Sequence, residues 1–248
     1  MNIVVCVNHV PDTETKVKVG PDGKSIDKAG VNYMLSPYDE SAVEECLRLK
    51  EKNGGQVTAI SLGGDANKET LRKVYAMGVD KAILLKDEAP RDSYGVAKAL
   101  ADVIKELSPD VVFFGKQSID YDDAQVGGLV AEMLGLPSVS VVVKLEIDNG
   151  NVRAQREIEG GHETVETRLP AVFTAQKGLN EPRYPSLRGI MQAKSKAIEE
   201  RVLEPVPPQV EVVAMRKPTA KGAGRIVGTD ASAVTELVRL LHEEAKVI

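Results

Sequence analysis

From residue 3 to residue 134, short β-branched runs alternate with helix-patterned segments, and this alternation restricts the fold more than any other feature of the chain. Residues 3–7 read as a buried strand. Residues 39–52 (DESAVEECLRLKEK) read as an amphipathic helix that sets Ala42, Val43, Cys46, Leu47 and Leu49 on or near one face. Further strands are expected at 56–62, 81–85 and 110–115, with helices at 67–77, 93–107 and 124–134. This order predicts the α/β class, a doubly wound, mostly parallel sheet with helices on both faces. After Gly135 the rhythm changes. Residues 139–147 and 152–157 flank DNG, a hairpin signal, and 163–168 and 171–175 read as further strands. The expectation for this half is an antiparallel extension of the same sheet. The α/β domain is taken to span 1–199. Residues 200–248 start charged and proline-bearing (EPVPPQ) and end in a predicted helix at 231–245; they read as an arm lying on another surface or as an unattached tail.

Composition narrows the function classes. Hydrophobic residues make up 42% of the 248, enough for a sizeable core, and the net charge of −5 disfavours general nucleic-acid binding. Cys6 and Cys46 match no metal spacing and suit a reducing, cytoplasmic setting. His9, His162 and His242 are far apart and belong to no metal or triad motif. MNIVVCV lacks a basic leader region and reads as a strand, not a signal peptide. No apolar run approaches the roughly 20 residues of a membrane span. No catalytic set stands out, which points to a carrier or binding module. The acidic residues on helices read as solvated faces.

Doubly wound sheets bind ligands beyond the carboxyl ends of their strands. Three loops should gather there: 8–13 (NHVPDT), 61–67 (SLGGDAN) and 115–128 (GKQSIDYDDAQVGG). In the second, Gly63 and Gly64 permit close backbone approach, and the next helix offers N–H groups to an anion. The third sets Lys116, Gln117, Asp120, Asp122, Asp123 and Gln125 between an apolar strand and an apolar helix, as functional loops often do. Amides and carboxylates there suit an adenine edge or ribose hydroxyls; equally, Asp122 or Asp123 would serve as a plain helix cap. KGAGRIVG, residues 221–228, has the wrong glycine spacing for a dinucleotide fingerprint. A different question is posed by 178–200 (GLNEPRYPSLRGIMQAKSKAIEE), where Pro182 and Pro185 stiffen a polar stretch that carries Leu187.

That stretch supplies a resemblance. LNEPRYPSLRGIM resembles the signature of the electron transfer flavoprotein β subunits. SPYDESAVEECLRLKEK from Ser36, AMGVDKA from Ala76, GKQSID from Gly115, REIEGGHET from Arg156 and LPAVFTA from Leu169 extend it over roughly residues 1–200, and the closing EEAKVI fits one bacterial branch. The resemblance implies a heterodimer with an α subunit that holds most of a redox-active FAD, while β buries a structural AMP. Electrons would pass from partner dehydrogenases, such as acyl-CoA dehydrogenases of fatty acid β-oxidation, through a quinone oxidoreductase toward the quinone pool. The role is that of an electron carrier, not an enzyme.

Carried over position by position, the resemblance places Cys6, Ser36, Pro37, Tyr38, Asp39, Leu62, Gly63, Gly115, Lys116, Gln117, Ser118, Ile119, Asp120, Tyr121, Asp122, Asp123, Ala124, Gln125 and Val126 around AMP. Thr13 and Tyr38 would lie nearest the flavin. Glu157 would pair with an arginine of the mobile flavin domain. The stretch 175–197 would be the recognition loop, with Leu187 as its apolar anchor on the dehydrogenase; otherwise Leu187 is a core leucine opening a helix at 188–197. One departure is Ala124–Gln125–Val126 where AMP-type relatives carry Asn–Gln–Thr. The same triplet occurs in electron-bifurcating relatives, in which a second FAD replaces AMP and oxidises NADH. Tyr121, where those relatives have a small glycine, together with REIEGGHET and LNEPRYPSL, favours AMP. A stand-alone adenine-nucleotide sensor is the third reading.

Overall fold

A computed structural model describes residues 1–220 and 222–248; Lys221, which opens the KGAGRIVG stretch, lies outside the described residues. The parallel strands are β1 (Asn2–Cys6), β4 (Gln56–Gly63), β5 (Lys81–Lys86) and β6 (Val111–Gly115). Between them run α1 (Pro37–Asn53), α2 (Asn67–Met77) and α3 (Ser93–Leu107), and α4 (Val126–Leu134) follows β6. The link from β1 to α1 carries a small antiparallel pair, β2 (His9–Pro11) and β3 (Tyr33–Leu35), too short to leave a periodic signal.

The remaining strands are β7 (Ser138–Asp148), β8 (Asn151–Ile158), β9 (Gly161–Arg168), β10 (Ala171–Ala175) and β11 (Glu199–Val202). All but β2 and β3 form one nine-stranded sheet in the order β11-β5-β4-β1-β6-β10-β7-β8-β9. Strand alternation divides the core in two. Ile3, Val5, Val57, Ala59, Val111 and Phe113 face α1 and α2, with Val43, Leu47, Leu71 and Val74 packed on them. Val4, Cys6, Ile60, Val112 and Phe114 face α3 and α4, against Leu100, Ile104 and Val130. The doubly wound reading therefore holds. All five residues expected on the α1 face, Ala42, Val43, Cys46, Leu47 and Leu49, are buried.

Two readings need correction. Ala171–Ala175 does not belong to the antiparallel extension: β10 is parallel to both β6 and β7 and fully buried. A short, mostly apolar run such as AVFTA looks the same in either setting. Among the described residues of the nine-stranded sheet, only β7–β8 and β8–β9 pair antiparallel. Their first turn is the expected one, with Asn149 (φ 46°) and Gly150 (φ 79°) both left-handed, as a two-residue hairpin requires. The second correction concerns acidic residues. Asp39, Glu44 and Glu45 are buried on α1 rather than solvated.

β11, across residue 199/200, pairs in parallel with β5 and makes the start of the arm the sheet's edge strand. Residues 203–230 hold no helix or strand among those described, and the end of the chain forms a 3-10 turn (Ala231–Ala233), α6 (Val234–Leu240) and a π turn (Leu241–Ala245). Among the described residues no helix is long and apolar enough to cross a membrane.

Candidate nucleotide and docking sites

The chain leaves β1 toward the α1 face and leaves β6 toward the α4 face. The two connections diverge, so the switch point at which a doubly wound sheet forms its ligand crevice lies between the carboxyl ends of β1 and β6. Asp39, in the first turn of α1, closes the floor of this crevice. Its Oδ2 accepts hydrogen bonds from the backbone N–H of Asn8 (2.8 Å) and from Asn8 Nδ2 (3.0 Å), and its Oδ1 accepts from the N–H of Gly115 (3.0 Å). One carboxylate thus ties together the ends of both strands. Burial pushes its carboxyl up to about 7, even though these donors pull it down. A Cβ on Gly115 would stand 2.5 Å from Asp39 Oδ1 and 2.7 Å from the Tyr38 Cβ, so only glycine fits there.

Helices α1 to α5 differ in how they begin. α3 and α5 (Leu187–Ser195) are capped by Asp92 and Ser186, which accept from the N–H groups of Gly95 and Gly189. α1, α2 and α4 have no side-chain cap. Their N–H groups face the strand ends, where an anion is favoured. Ser36, at the N-cap of α1, is buried and its Oγ has no hydrogen-bond partner, an unmet polar atom at the crevice wall.

The loop after β6 does not supply a cap for the helix that follows it. Neither Asp122 nor Asp123 caps α4. Gln117 Nε2 donates to Asp122, and Ser93 Oγ, at the start of α3, donates to Asp123. Asp122 (φ 57°) and Ala124 (φ 54°) hold left-handed backbone that non-glycine residues rarely adopt outside constrained loops. The helix itself starts at Val126, two residues later than expected. Lys116 Nζ lies 5.1 Å above the Tyr38 ring, while Ser118 and Ile119 are half-buried and Asp120 and Tyr121 exposed.

On the β4 side, Leu62 is half-buried and Gly63 packs on Asn67, whose Nδ2 donates to Ser61 Oγ (2.9 Å) and to the carbonyl of Leu62 (3.0 Å). Cys6 is buried within β1, where burial raises its thiol. Pro37 opens α1, and Thr13 is exposed in the turn after β2. Glu157 is exposed near the tip of β8 and accepts from Gln176 Nε2 at 2.6 Å. A surface depression of about 700 Å³ lies elsewhere, between Lys52 and the β7–β9 strands. It lacks the uncapped helix starts and buried carboxylate of the strand-end crevice.

On the α1–α2 side of the molecule stands the arm 178–187. Leu187 is 84% exposed and Tyr184 96% exposed, so Leu187 is not a core leucine even though it does open α5. Ile190 and Met191 extend the exposed apolar surface.

A family model described as "Electron transfer flavoprotein domain" matches residues 24–206. An electron transfer flavoprotein subunit beta of Bacillus subtilis (strain 168) is 40% identical over 259 aligned positions, covering all of both chains. The chain is 39% identical to the subunit beta of Bradyrhizobium diazoefficiens, again over the full length of both. It is 37% identical to a mitochondrial subunit beta of Oryza sativa subsp. japonica, over the whole of each chain. This chain belongs to the electron transfer flavoprotein β-subunit family. The family resemblance read from the sequence motifs is therefore correct, and membership makes a flavoprotein role and an α-subunit partner part of the protein's setting.

In this electron transfer flavoprotein β chain several side chains have contacts that the sequence reading did not assign, although Asn8 and Asn67 lie in two of the loops it singled out. Asn8 and Asn67 shape the crevice through side-chain amides, and Ser93 restrains the loop after β6 from a different helix. Glu44 and Arg183, described below, fasten the arm. Arg48 stands four residues after Glu44, a helix-pair signal that was there to be read.

Proposed function

We propose that this chain is the β subunit of a heterodimeric electron carrier that docks partner dehydrogenases through Leu187 and holds AMP at its strand ends. The observation that carries the docking half is the exposure of Leu187 at the start of a helix, on an arm otherwise tied down by polar contacts. An apolar anchor held in place loses little conformational entropy on binding. The AMP half is supported by the uncapped starts of α1 and α4 and the unpartnered Ser36 Oγ. These features fit a nucleotide phosphate and sugar. Asp39 fixes the ends of β1 and β6 to each other, and Tyr121 sets a bulky side chain in the loop where a second flavin ring would need room.

The flavin is FAD, held mainly by the α subunit, and when bound it supplies the electron-accepting chemistry. Thr13 and Tyr38 line the side of β presented to it. Glu157 orients the flavin domain through an arginine of α. Electrons arrive from acyl-CoA or other dehydrogenases and leave toward a quinone oxidoreductase, in the cytoplasm. The protein is a carrier, with no turnover of its own.

Nucleotide analysis of the co-purified heterodimer tests the reading. One FAD and one AMP per pair are expected. Two FAD and no AMP would replace it with the bifurcating alternative, which the Ala124–Gln125–Val126 triplet favours. A stable monomer that binds AMP without any α subunit would replace it with a sensor. Leu187→Ala should raise the KM for the carrier in reduction by an acyl-CoA dehydrogenase about tenfold or more, because one buried leucine contributes about 1.5–3 kcal/mol. An unchanged KM would remove Leu187 from the docking surface.

A further inference from the structure

The arm 178–187 is held at both ends by different kinds of contact. At its far end α5 lies against α2. Gly189 sits so close that a Cβ there would be 2.4 Å from the carbonyl oxygen of Ala76. Arg72 Nη1 donates to the carbonyls of Ala193 (2.6 Å) and Lys196, and Tyr75 Oη donates to the carbonyl of Ala197 (2.5 Å). At its near end the arm is gripped by α1. Asn180 Nδ2 donates to the carbonyl of Ser41 (3.0 Å) and to Glu45 Oε2 (2.9 Å).

The strongest grip is on Arg183. Its Nε and Nη2 donate side-on to the two oxygens of Glu44, at 2.8 and 3.1 Å, and its backbone N–H donates to the same carboxylate at 3.1 Å. Its other edge faces Glu51, with Nη1 and Nη2 donating at 2.5 and 3.2 Å. Glu44 also accepts from Arg48 Nε at 2.8 Å, and Arg48 Nη2 reaches the carbonyl of Glu181 at 3.3 Å. The Glu44 side chain is only 4% exposed. A planar guanidinium held between two carboxylates fixes direction as well as distance, which a lysine ammonium does not.

We propose that Glu44 and Arg183 are a positioning pair, which aims the arm so that Leu187 meets its redox partner in one geometry. This rests on the reading of Leu187 as the docking anchor. Neither residue need touch the partner. They act through the arm: Leu187 stands four residues past Arg183 and two before Gly189, between the two anchorages. A loosened near end would leave Leu187 exposed yet sampling many directions, and the ordering would have to occur on each encounter. The effect belongs in the affinity for the partner and not in the flavin.

The test uses the full heterodimer with Glu44→Gln, which keeps the shape and loses the charge, and Arg183→Lys, which keeps the charge and loses the fork. Each is made alone and combined with Leu187→Ala. Reduction by an acyl-CoA dehydrogenase is followed against carrier concentration, and amide exchange is measured over residues 184–189. Each single variant should raise the KM for the carrier threefold or more, leave kcat and FAD per heterodimer unchanged, and speed exchange in the arm. Added to Leu187→Ala, neither should raise KM further. If Leu187→Ala raises KM and the single variants do not, the positioning role is wrong while the docking reading stands. Full additivity in the double variants also overturns it, because the pair would then act by another route than Leu187. If Leu187→Ala itself leaves KM unchanged, the docking reading fails and takes the presentation of Leu187 with it, while the exchange data still report whether the pair holds the arm. Should Glu44→Gln assemble poorly, Arg183→Lys at the half-exposed position decides alone.

Discussion

Asp39 concentrates the most structure in one side chain. It receives three hydrogen bonds from two strand ends, and its own ionisation is opposed by burial. Asp39→Ala leaves three donors without their acceptor, each buried or half-buried, at a cost of about 2–4 kcal/mol, the usual range for losing a small buried network. Urea denaturation of the heterodimer and of β alone should both show the loss. The carboxyl also gives stability a pH dependence with a definite sign. Its folded value, about 7, lies above the ordinary 3.8 of an aspartate, so the folded chain holds a proton that the unfolded chain has released between those limits. The stabilisation from Asp39 is therefore complete below about pH 4 and is lost as pH rises through about 7. Across pH 5–7 it should contribute a decline of about 1 kcal/mol per pH unit. Asp39→Asn, which cannot titrate, should flatten that part of the profile. A variant profile as steep as that of the native chain would mean that other groups set the slope.

The central strands and the helices between them were legible because each carries its own period. β1, β4, β5 and β6 are β-branched runs, and α1 to α3 show an apolar stripe. What could not be read is whatever depends on a distant partner. β11 (EERV) has no strand pattern and exists because the open edge of β5 offers backbone partners. The burial of Asp39 and Glu44 defies the ordinary expectation for carboxylates, since the donors that make it affordable sit on Gly115 and Arg183, 76 and 139 residues away. The strand-end loops, with Gly63, Lys116 and Gln125 among them, could be picked out from the order of elements, whereas Cys6 and Ser36 could be named only by resemblance; and the loop after β6 read equally as a binding loop or a helix cap, while its acidic side chains are engaged with Gln117 and Ser93. The contact between α2 and α5 yields a prediction at this scale. Gly189→Ala puts a methyl group into the carbonyl of Ala76, a backbone atom that cannot swing aside. The strain should cost about 1–3 kcal/mol and lift α5 from α2. Faster amide exchange across Leu187–Ser195, with β1 and β6 unchanged, would show it; equal exchange would mean that the two helices slide apart freely.

At the scale of the whole molecule, the chain is a packed sheet followed by a long segment with little of its own to pack on. Residues 204–215 are fastened at a few points: Arg91 Nη2 reaches the carbonyl of Glu204, Asp92 Oδ2 accepts from the N–H groups of Gln209 and Val210, Lys24 pairs with Glu211, and Met215 N–H donates to the carbonyl of Gly23. Beyond these, Val213 and Ile226 are each 83% exposed, and Val234, Leu237 and Val238 leave one side of α6 open. Apolar side chains exposed in this way along one segment suit a surface that another protein covers. The proposed cover is the α subunit. Amide exchange distinguishes a wrapped arm from a loose tail. In β alone, amides of 216–220 and 222–230 should exchange within seconds, those from 204 to 215 more slowly, and those of β1, β6 and β10 slowest, in step with their burial. Adding α should slow exchange across 204–240 by tenfold or more while the central strands barely change, since their protection already reflects global unfolding. The same rates with and without α would mean that the exposed valines and leucines of the arm serve no interface with it, and the partner's contact would then have to be sought on the sheet itself.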